Sequence, residues 1–143
     1  MQLSRRADYG IRLLLELSML PKGVRTSTED VATKQNIPTT FLSKIARQLA
    51  QAGLVRAYPG LGGGLEMGRD PKDLTVLEAL RALEGPIAMA RCMLHPGECP
   101  RSTHCPMHLV WKKVEAGVSN ELAGVTFDQL AQSELAAHAQ QTR

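Results

Sequence analysis

The chain has 143 residues, of which 43% are hydrophobic and 22% are charged. This length and balance fit one compact domain, or a small domain with an arm, and they exclude a chain that is disordered throughout. The longest apolar runs, such as residues 13–15 and 87–90, are three or four residues long, whereas a transmembrane helix needs about 20. Neither a membrane span nor the apolar core of a signal peptide can be read, so we expect a cytoplasmic protein.

The net charge of +3 is distributed unevenly along the chain. Residues 1–64 hold nine basic and four acidic side chains, a surplus of +5, whereas residues 71–143 hold seven basic and eight acidic ones. A basic front half is typical of proteins with a polyanionic partner. A surplus of this size also fits an ordinary solvated surface, so charge alone does not decide between the two.

The first half of the chain has the pattern of a helix-turn-helix. Apolar residues at spacings of three and four predict a helix over about residues 5–20. A capping-box pattern within residues 26–30 opens a short second helix that ends near Gln35. After a brief turn, a third helix is predicted to begin at Thr39 or Thr40.

The third predicted helix has one apolar face and one polar face. In a helix-turn-helix the second of the two helices normally enters the major groove of DNA, and hydroxyls and cations suit base edges and phosphates. An ordinary helical hairpin would show the same spacing. The residues expected on or near the outer face are Thr39, Thr40, Ser43, Lys44, Arg47 and Gln48.

A predicted β-hairpin follows directly. Residues 54–58 and 65–67 read as strands, and the glycine-rich residues 59–64 read as the turn between them. A hairpin in this position is typical of the wing of a winged helix-turn-helix, and its glycines allow backbone N–H groups to approach a phosphate. A nucleotide-binding loop is not favoured, because no Lys-Ser/Thr pair follows the glycines.

The second half of the sequence predicts three further helices, one of which has a long apolar seam. A capping box at Thr75 and Glu78 opens a fourth helix, and a long helix follows over about residues 106–123. A last short helix begins at Thr126, before a polar tail. The long helix has apolar residues at spacings of three and four, a seam that a second copy of the chain or its own first domain could cover. The seam residues are Met107, Trp111, Val114, Val118 and Leu122.

The three cysteines, Cys92, Cys99 and Cys105, lie together in one predicted loop. An odd number cannot pair off within one chain and a cytosol is reducing, so metal or redox chemistry is favoured over a disulfide framework. Thiolates are soft ligands that suit iron–sulfur clusters, zinc or copper(I). The short Cys-Cys knuckles of structural zinc are absent, but zinc on three cysteines and His108 remains open, as do unligated cysteines.

Several segments in order resemble a known family. The segments are DYGIR at residues 8–12, IPTTFLSKI at 37–45, GLGGG at 60–64 and LTVLEA at 74–79, followed by three cysteines and a tryptophan-bearing helix. Over residues 1–130 the chain resembles the Rrf2 family of bacterial transcription regulators, which includes the iron–sulfur regulator IscR and the nitric-oxide sensor NsrR. The resemblance implies a homodimeric protein that is not an enzyme and binds (pseudo)palindromic double-stranded DNA. It also implies that an iron–sulfur cluster, sensing redox state, nitric oxide or iron supply, tunes the DNA affinity.

The resemblance also implies a set of site residues. It makes Cys92, Cys99 and Cys105 cluster ligands, and the fourth ligand is either His108, which suits a 2Fe–2S cluster, or Asp8, which suits a 4Fe–4S cluster. A regulator of the same fold without a cluster, sensing by cysteine oxidation, zinc or a protein partner, is the alternative. The expected DNA-binding residues are Arg5, Thr28, Pro38, Thr39, Thr40, Ser43, Lys44, Arg47, Arg56, Gly60, Gly62 and Gly63.

The sequence thus predicts a mainly α fold, a winged helix-turn-helix DNA-binding domain with a long C-terminal dimerisation helix. We expect the DNA-binding domain over residues 1–85 and the cysteine-rich loop over 86–105. The dimerisation helix and a C-terminal helix take residues 106–137, and residues 138–143 form a tail.

Overall fold

A computed structural model describes residues 2–143 of the chain. It is mainly helical with a small antiparallel sheet, which confirms the predicted fold class. No helix within these residues is long and apolar enough to cross a membrane. The elements in chain order are α1 (Arg5–Ser18), α2 (Thr28–Gln35), α3 (Thr39–Gln51), β1 (Val55–Tyr58), β2 (Gly64–Met67), a 3-10 turn (Pro71–Asp73), α4 (Val76–Glu84), α5 (Arg91–Leu94), α6 (Pro106–Ala123) and α7 (Phe127–Gln141).

Local hydrogen bonds fix the turn between α2 and α3. Ser27 caps α2, because its Oγ accepts from the Asp30 N–H at 3.0 Å. Asn36 adopts the left-handed conformation with φ of 53°, and the Ile37 N–H then donates to the Ala32 carbonyl at 2.9 Å. The Ile37 side chain is buried in the core, so the turn and the helix pair are held together by both backbone and packing.

The core lies where α1 meets α3 and α4. Leu13 and Leu14 of α1 are fully buried with Leu42 of α3, which confirms the apolar stripes read from the sequence. Gly10 of α1 is also buried, and a Cβ built there would lie 2.6 Å from the Leu83 Cδ atoms of α4. A side chain at position 10 would therefore require the buried Leu83 side chain to move.

The two strands pair antiparallel with Arg56 opposite Glu66 and Tyr58 opposite Gly64. A bridge adds a third short segment to this hairpin, because the N–H and carbonyl of Thr26 both bond to Leu65, at 3.1 and 2.7 Å. The wing is thereby attached to the segment that leads into α2, a contact that the sequence did not predict.

The capping box predicted at α4 is present in full. The Thr75 Oγ1 accepts from the Glu78 N–H at 3.2 Å, and the Glu78 carboxylate accepts from the Thr75 N–H at 2.9 Å. That backbone hydrogen bond, with the help of Arg69, holds the pKa of Glu78 below its ordinary value of 4.5. The start of α4 is therefore fixed locally.

The last helix differs from its prediction. It has 15 residues and continues to Gln141. The prediction of a short helix from Thr126, followed by a tail over residues 138–143, is therefore wrong. A capping box at Thr126 starts it, and its many Ala and Gln residues favour helix. Phe127 is fully buried in the core formed by α1 and α3. The core of the first domain is thus completed by a residue beyond residue 85.

Candidate functional site

Helix α3 has one buried and one open face. Leu42, Ile45 and Leu49 are at most 1% exposed, because they pack onto α1 and the strands. The opposite face is free of packing and bears hydroxyls and cations. The residues that the sequence placed there and that are exposed are Thr39, Thr40, Ser43, Lys44 and Arg47, and the expected DNA-binding residue Pro38 is exposed just before the helix.

Two polar side chains of α3 are engaged within the protein. The Ser43 Oγ donates to the Thr39 carbonyl at 2.9 Å, so its hydroxyl oxygen is left as an acceptor. Gln48 is partly buried, and its amide donates to the carbonyls of Ala82 and Leu83 at 2.9 and 3.1 Å. Its assignment to the outer face is therefore wrong, because the last carbonyls of α4 need donors and Gln48 supplies them.

The wing tip is a tight turn that requires glycine. Gly60 and Gly62 have φ of +81° and +75°, a region that side chains disfavour. The Gly63 N–H donates to the Gly60 carbonyl at 3.1 Å. A Cβ on Gly63 would lie 2.1 Å from the Tyr58 carbonyl oxygen. The predicted turn is confirmed, and it leaves the three glycines at the surface or near it.

Cationic and aromatic side chains lie on the strands behind the tip. Arg56 is exposed and lies 3.8 Å from Glu66, and the Tyr58 hydroxyl donates to the same carboxylate at 2.7 Å. The guanidinium of Arg25 lies 3.3 Å from the centre of the Tyr58 ring, a cation–π stack. Sequence reasoning missed Arg25 because no motif marks its loop; the basic surplus of the front half was the available signal.

Two of the predicted DNA-binding residues lie at helix starts away from α3. Thr28 is the first residue of α2 and is partly buried. Arg5 is exposed at the first residue of α1, where its neighbours Ser4 and Arg6 both contact Glu84. The role of both residues in binding stays a prediction.

The cysteine loop contains one element that was not predicted, the single-turn helix α5. Cys92 lies on α5, Cys99 lies in the loop, and Cys105 directly precedes α6. All three are free thiols and partly buried. Within residues 2–143 no three Cys, His, Asp or Glu side chains lie close enough together to hold a metal ion. The ligand set expected from the resemblance is therefore not gathered in this protomer.

His108 lies one helical turn after Cys105, and the backbone N–H of His108 donates to the Cys105 carbonyl at 3.1 Å. Both residues line an open cleft of about 410 Å³. In the described part of the chain the His108 Nδ1 is covered and has no hydrogen-bond partner. A covered imidazole nitrogen without a partner is costly unless a ligand takes it. By donor chemistry, three thiols and this nitrogen fit a cluster or a zinc ion.

The other candidate fourth ligand, Asp8, is engaged on α1. Arg12 donates to both oxygens of its carboxylate, at 3.2 and 2.8 Å. Both side chains of the pair are more than 40% exposed, and an ion pair this open contributes about 0–1 kcal/mol. Breaking this ion pair would cost little free energy, so its presence does not decide whether His108 or Asp8 is the fourth ligand.

Helix α6 exposes much of its apolar surface. Of the predicted seam, Met107, Val114 and Val118 are exposed, whereas Trp111 and Leu122 are partly buried within the protomer. Val110 is 45% exposed and extends the exposed stripe, which therefore reads 107, 110, 114 and 118. No residue of α6 is buried within residues 2–143. Helix α6 packs partly against α4 and α5, and a contiguous apolar stripe that stays exposed on such a helix is typical of a protein interface.

Comparison with protein families gives one match over nearly the whole chain. A family model described as "Rrf2: Iron-dependent Transcriptional regulator" matches residues 3–133. A protein of Mycobacterium tuberculosis named as a helix-turn-helix transcriptional regulator is 30% identical over 142 residues, which cover 99% of this chain and 88% of that protein.

Two solved structures share the fold over most of their length. CymR, the global cysteine regulator of Bacillus subtilis, superposes with a TM-score of 0.76 and 26% identity, covering 93% of this chain and 98% of that one. IscR of T. potens also gives a TM-score of 0.76, with 22% identity over 94% of this chain and 88% of that one. At 22% identity the second likeness concerns the fold alone.

Proposed function

Because the chain belongs to the Rrf2 family of transcription regulators, we propose that it acts as a homodimer on a specific, (pseudo)palindromic DNA duplex. The open polar face of α3 beside a wing is the observation on which the proposal rests. Lys44 and Arg47 are exposed there, opposite a fully packed apolar face. A helix that is anchored on one side and offers donors on the other suits the major groove.

In this proposal the side chains of α3 contact base edges and phosphates, and the wing contacts the backbone of the duplex. Lys44 and Arg47 have donors that can reach guanine edges or phosphates, and Arg can do so with two parallel bonds. Thr39 and Thr40 begin the helix, where hydroxyls and free N–H groups favour a phosphate. Arg56 and the wing glycines lie further along and contact the backbone of the duplex in this proposal.

Dimerisation follows from the α6 stripe of Met107, Val110, Val114 and Val118. One protomer offers one α3, and a palindrome presents two half-sites about 34 Å apart, one helical turn of DNA. Two copies packed through α6 around a two-fold axis bury the stripe and supply the second α3.

The cysteine loop is the proposed regulatory element, and an iron–sulfur cluster is its proposed ligand. The family description as iron-dependent and the donor set of Cys92, Cys99, Cys105 and His108 support this, with Asp8 as the other possible fourth ligand. A bound cluster would supply a group that reacts with oxidants and nitric oxide. Cys105 directly precedes α6, so a change in the loop acts on the dimer helix.

A second candidate for regulation is cysteine oxidation without a cluster. The three thiols are free and are not gathered in the protomer, and the chain is similar in fold and sequence to a structure named as a cysteine regulator. The two candidates differ in whether protein purified without oxygen contains iron and acid-labile sulfide.

Selection from a pool of random-sequence duplexes tests the proposed DNA binding. We expect a two-fold symmetric sequence to be enriched, and we expect Lys44→Ala and Arg47→Ala to weaken its binding, by about 5-fold or more for a lost base contact. Lys72→Ala, which removes the same charge from an exposed position in the 3-10 turn, is the matched control. Equal losses in all three variants, or no enriched sequence, would contradict the proposal.

A further inference from the structure

The wing tip presents one leucine that touches nothing else in the described chain. Leu61 has a relative exposure of 107%, so its side chain is as open as in an isolated peptide. It occupies the second position of a four-residue turn that the Gly63 N–H closes onto the Gly60 carbonyl. Gly62 at the third position has φ of +75°, the pattern of a type II turn. The leucine contributes nothing to the packed core.

The turn that carries Leu61 is stiff. Gly63 fits closely beneath the Tyr58 carbonyl, and the Tyr58 hydroxyl is bonded to Glu66 across the sheet. The stack of Arg25 on the Tyr58 ring holds the same side chain in place. A side chain displayed on a braced turn loses little conformational freedom on binding, which favours insertion into a partner.

The length of the hairpin and the apolar character of its tip both suit insertion into a groove of DNA. Each strand of the hairpin has four residues, which span about 13 Å. The major groove that α3 is proposed to occupy is about 12 Å wide, so a hairpin of this length is long enough to reach past the phosphate backbone to the neighbouring minor groove. Residues 59–65 hold no charged side chain. A wing that held DNA by side-chain charge would place a cation there, whereas an apolar tip suits the space between base pairs.

We infer that Leu61 inserts as an apolar wedge into the minor groove beside each half-site and selects a pyrimidine–purine step there. Such steps unstack most easily, so the cost of insertion depends on sequence although no base edge is read. The inference rests on the proposed function, because it requires that α3 and the wing bind one duplex.

Parallel selections from random-sequence duplexes with the full-length wild-type protein, Leu61→Met and Leu61→Ser test this inference. Met keeps an apolar side chain of similar size, whereas Ser removes the wedge. We expect wild type and Leu61→Met to enrich a pyrimidine–purine step at a fixed distance outside each half-site. Leu61→Ser should lose that enrichment and keep the half-sites. On the selected duplex, changing the step to ApA should weaken wild-type binding by about 5- to 10-fold and leave Leu61→Ser unchanged.

The outcomes separate the inference from the proposed function. If Leu61→Ser enriches the same flanking step as wild type, the wedge is wrong while the DNA-binding function stands. If wild type enriches half-sites without a flanking step, the wedge is also wrong. If no protein enriches any sequence, the proposed function fails. Because Leu61 is fully exposed, the thermal unfolding of the variants should match that of wild type, and this measurement excludes misfolding as the cause.

Discussion

Single residues of the cysteine loop carry the regulatory chemistry that we propose for it. Cys99 lies on the loop itself, between Cys92 on α5 and Cys105 at the start of α6. The hydroxyl of Ser102, three residues later, donates to the Pro96 carbonyl at 3.1 Å and so supports the loop. A thiol and a hydroxyl therefore lie in the same loop, the thiol as a proposed soft ligand and the hydroxyl as a structural donor.

Replacing Cys99 with Ala should abolish cluster binding and leave the dimer intact, because one of three thiolates is removed from an exposed loop. The measurement is iron and acid-labile sulfide per chain after anaerobic purification, together with the absorption spectrum. Ser102→Ala is the matched control, since it loosens the loop without removing a thiolate. About two irons per wild-type chain would favour His108 as fourth ligand, and about four would favour Asp8.

If Cys99→Ala contained as much iron and acid-labile sulfide per chain as the wild-type protein, the assignment of Cys99 as a ligand would be wrong. A wild-type protein that stays colourless after anaerobic reconstitution would instead support regulation by bare thiols, zinc or a partner.

At the scale of elements, the link between α3 and α4 joins the proposed DNA-binding surface to the cysteine loop. Gln48 of α3 donates to the Ala82 and Leu83 carbonyls in the last turn of α4, and the chain runs from there into the cysteine loop. Two carbonyls that α4 cannot satisfy itself thus take their donor from the helix proposed to read DNA. A shift at the end of α4 would reach α3 through this amide.

Gln48→Ala should lower the free energy of unfolding by about 1–2 kcal/mol, because a partly buried amide and two carbonyls lose their hydrogen bonds. Urea titration followed by circular dichroism measures this change. Gln51→Ala is the matched control, since Gln51 is exposed at the end of the same helix, and it should change stability by less than about 0.5 kcal/mol. Equal effects of the two substitutions would mean that the amide contributes only helix propensity.

At the scale of the whole molecule, the proposed function makes one protomer an incomplete DNA-binding unit. It presents a single α3, and its α6 exposes apolar side chains at positions 107, 110, 114 and 118. Both features are accounted for by one event, the packing of two α6 helices. Since α7 returns to the core of its own chain through Phe127, α6 is left as the helix available for a partner.

Val114→Glu should therefore convert the protein to a monomer and weaken its binding to the selected duplex by more than about 10-fold, because a charge would be buried in the seam. Sedimentation equilibrium and a binding titration measure the two effects. Lys113→Glu, at the neighbouring exposed position, is the control and should remain a dimer. A Val114→Glu protein that sediments as a dimer would show that the seam lies elsewhere.

The sequence by itself determined the order and type of nearly all elements. Their signals are local: the Ser27 cap, the Thr75–Glu78 box, the glycine turn and the apolar spacing of α1, α3 and α4. Each of these depends on residues within one or two turns of one another, so the pattern and the structure agree. The family resemblance was confirmed for the same reason, since its motifs are short segments in a fixed order.

Only the tertiary structure decided the features that join distant parts of the chain. Gln48 donates to α4, Arg25 stacks on Tyr58, and Phe127 packs into the core of the first helices. Trp111 and Leu122 are partly buried within the protomer. No local pattern encodes these contacts, because each depends on where a remote element packs. The same holds for the three cysteines: their spacing suggested a shared ligand, but whether three thiols meet depends on the path of the whole loop.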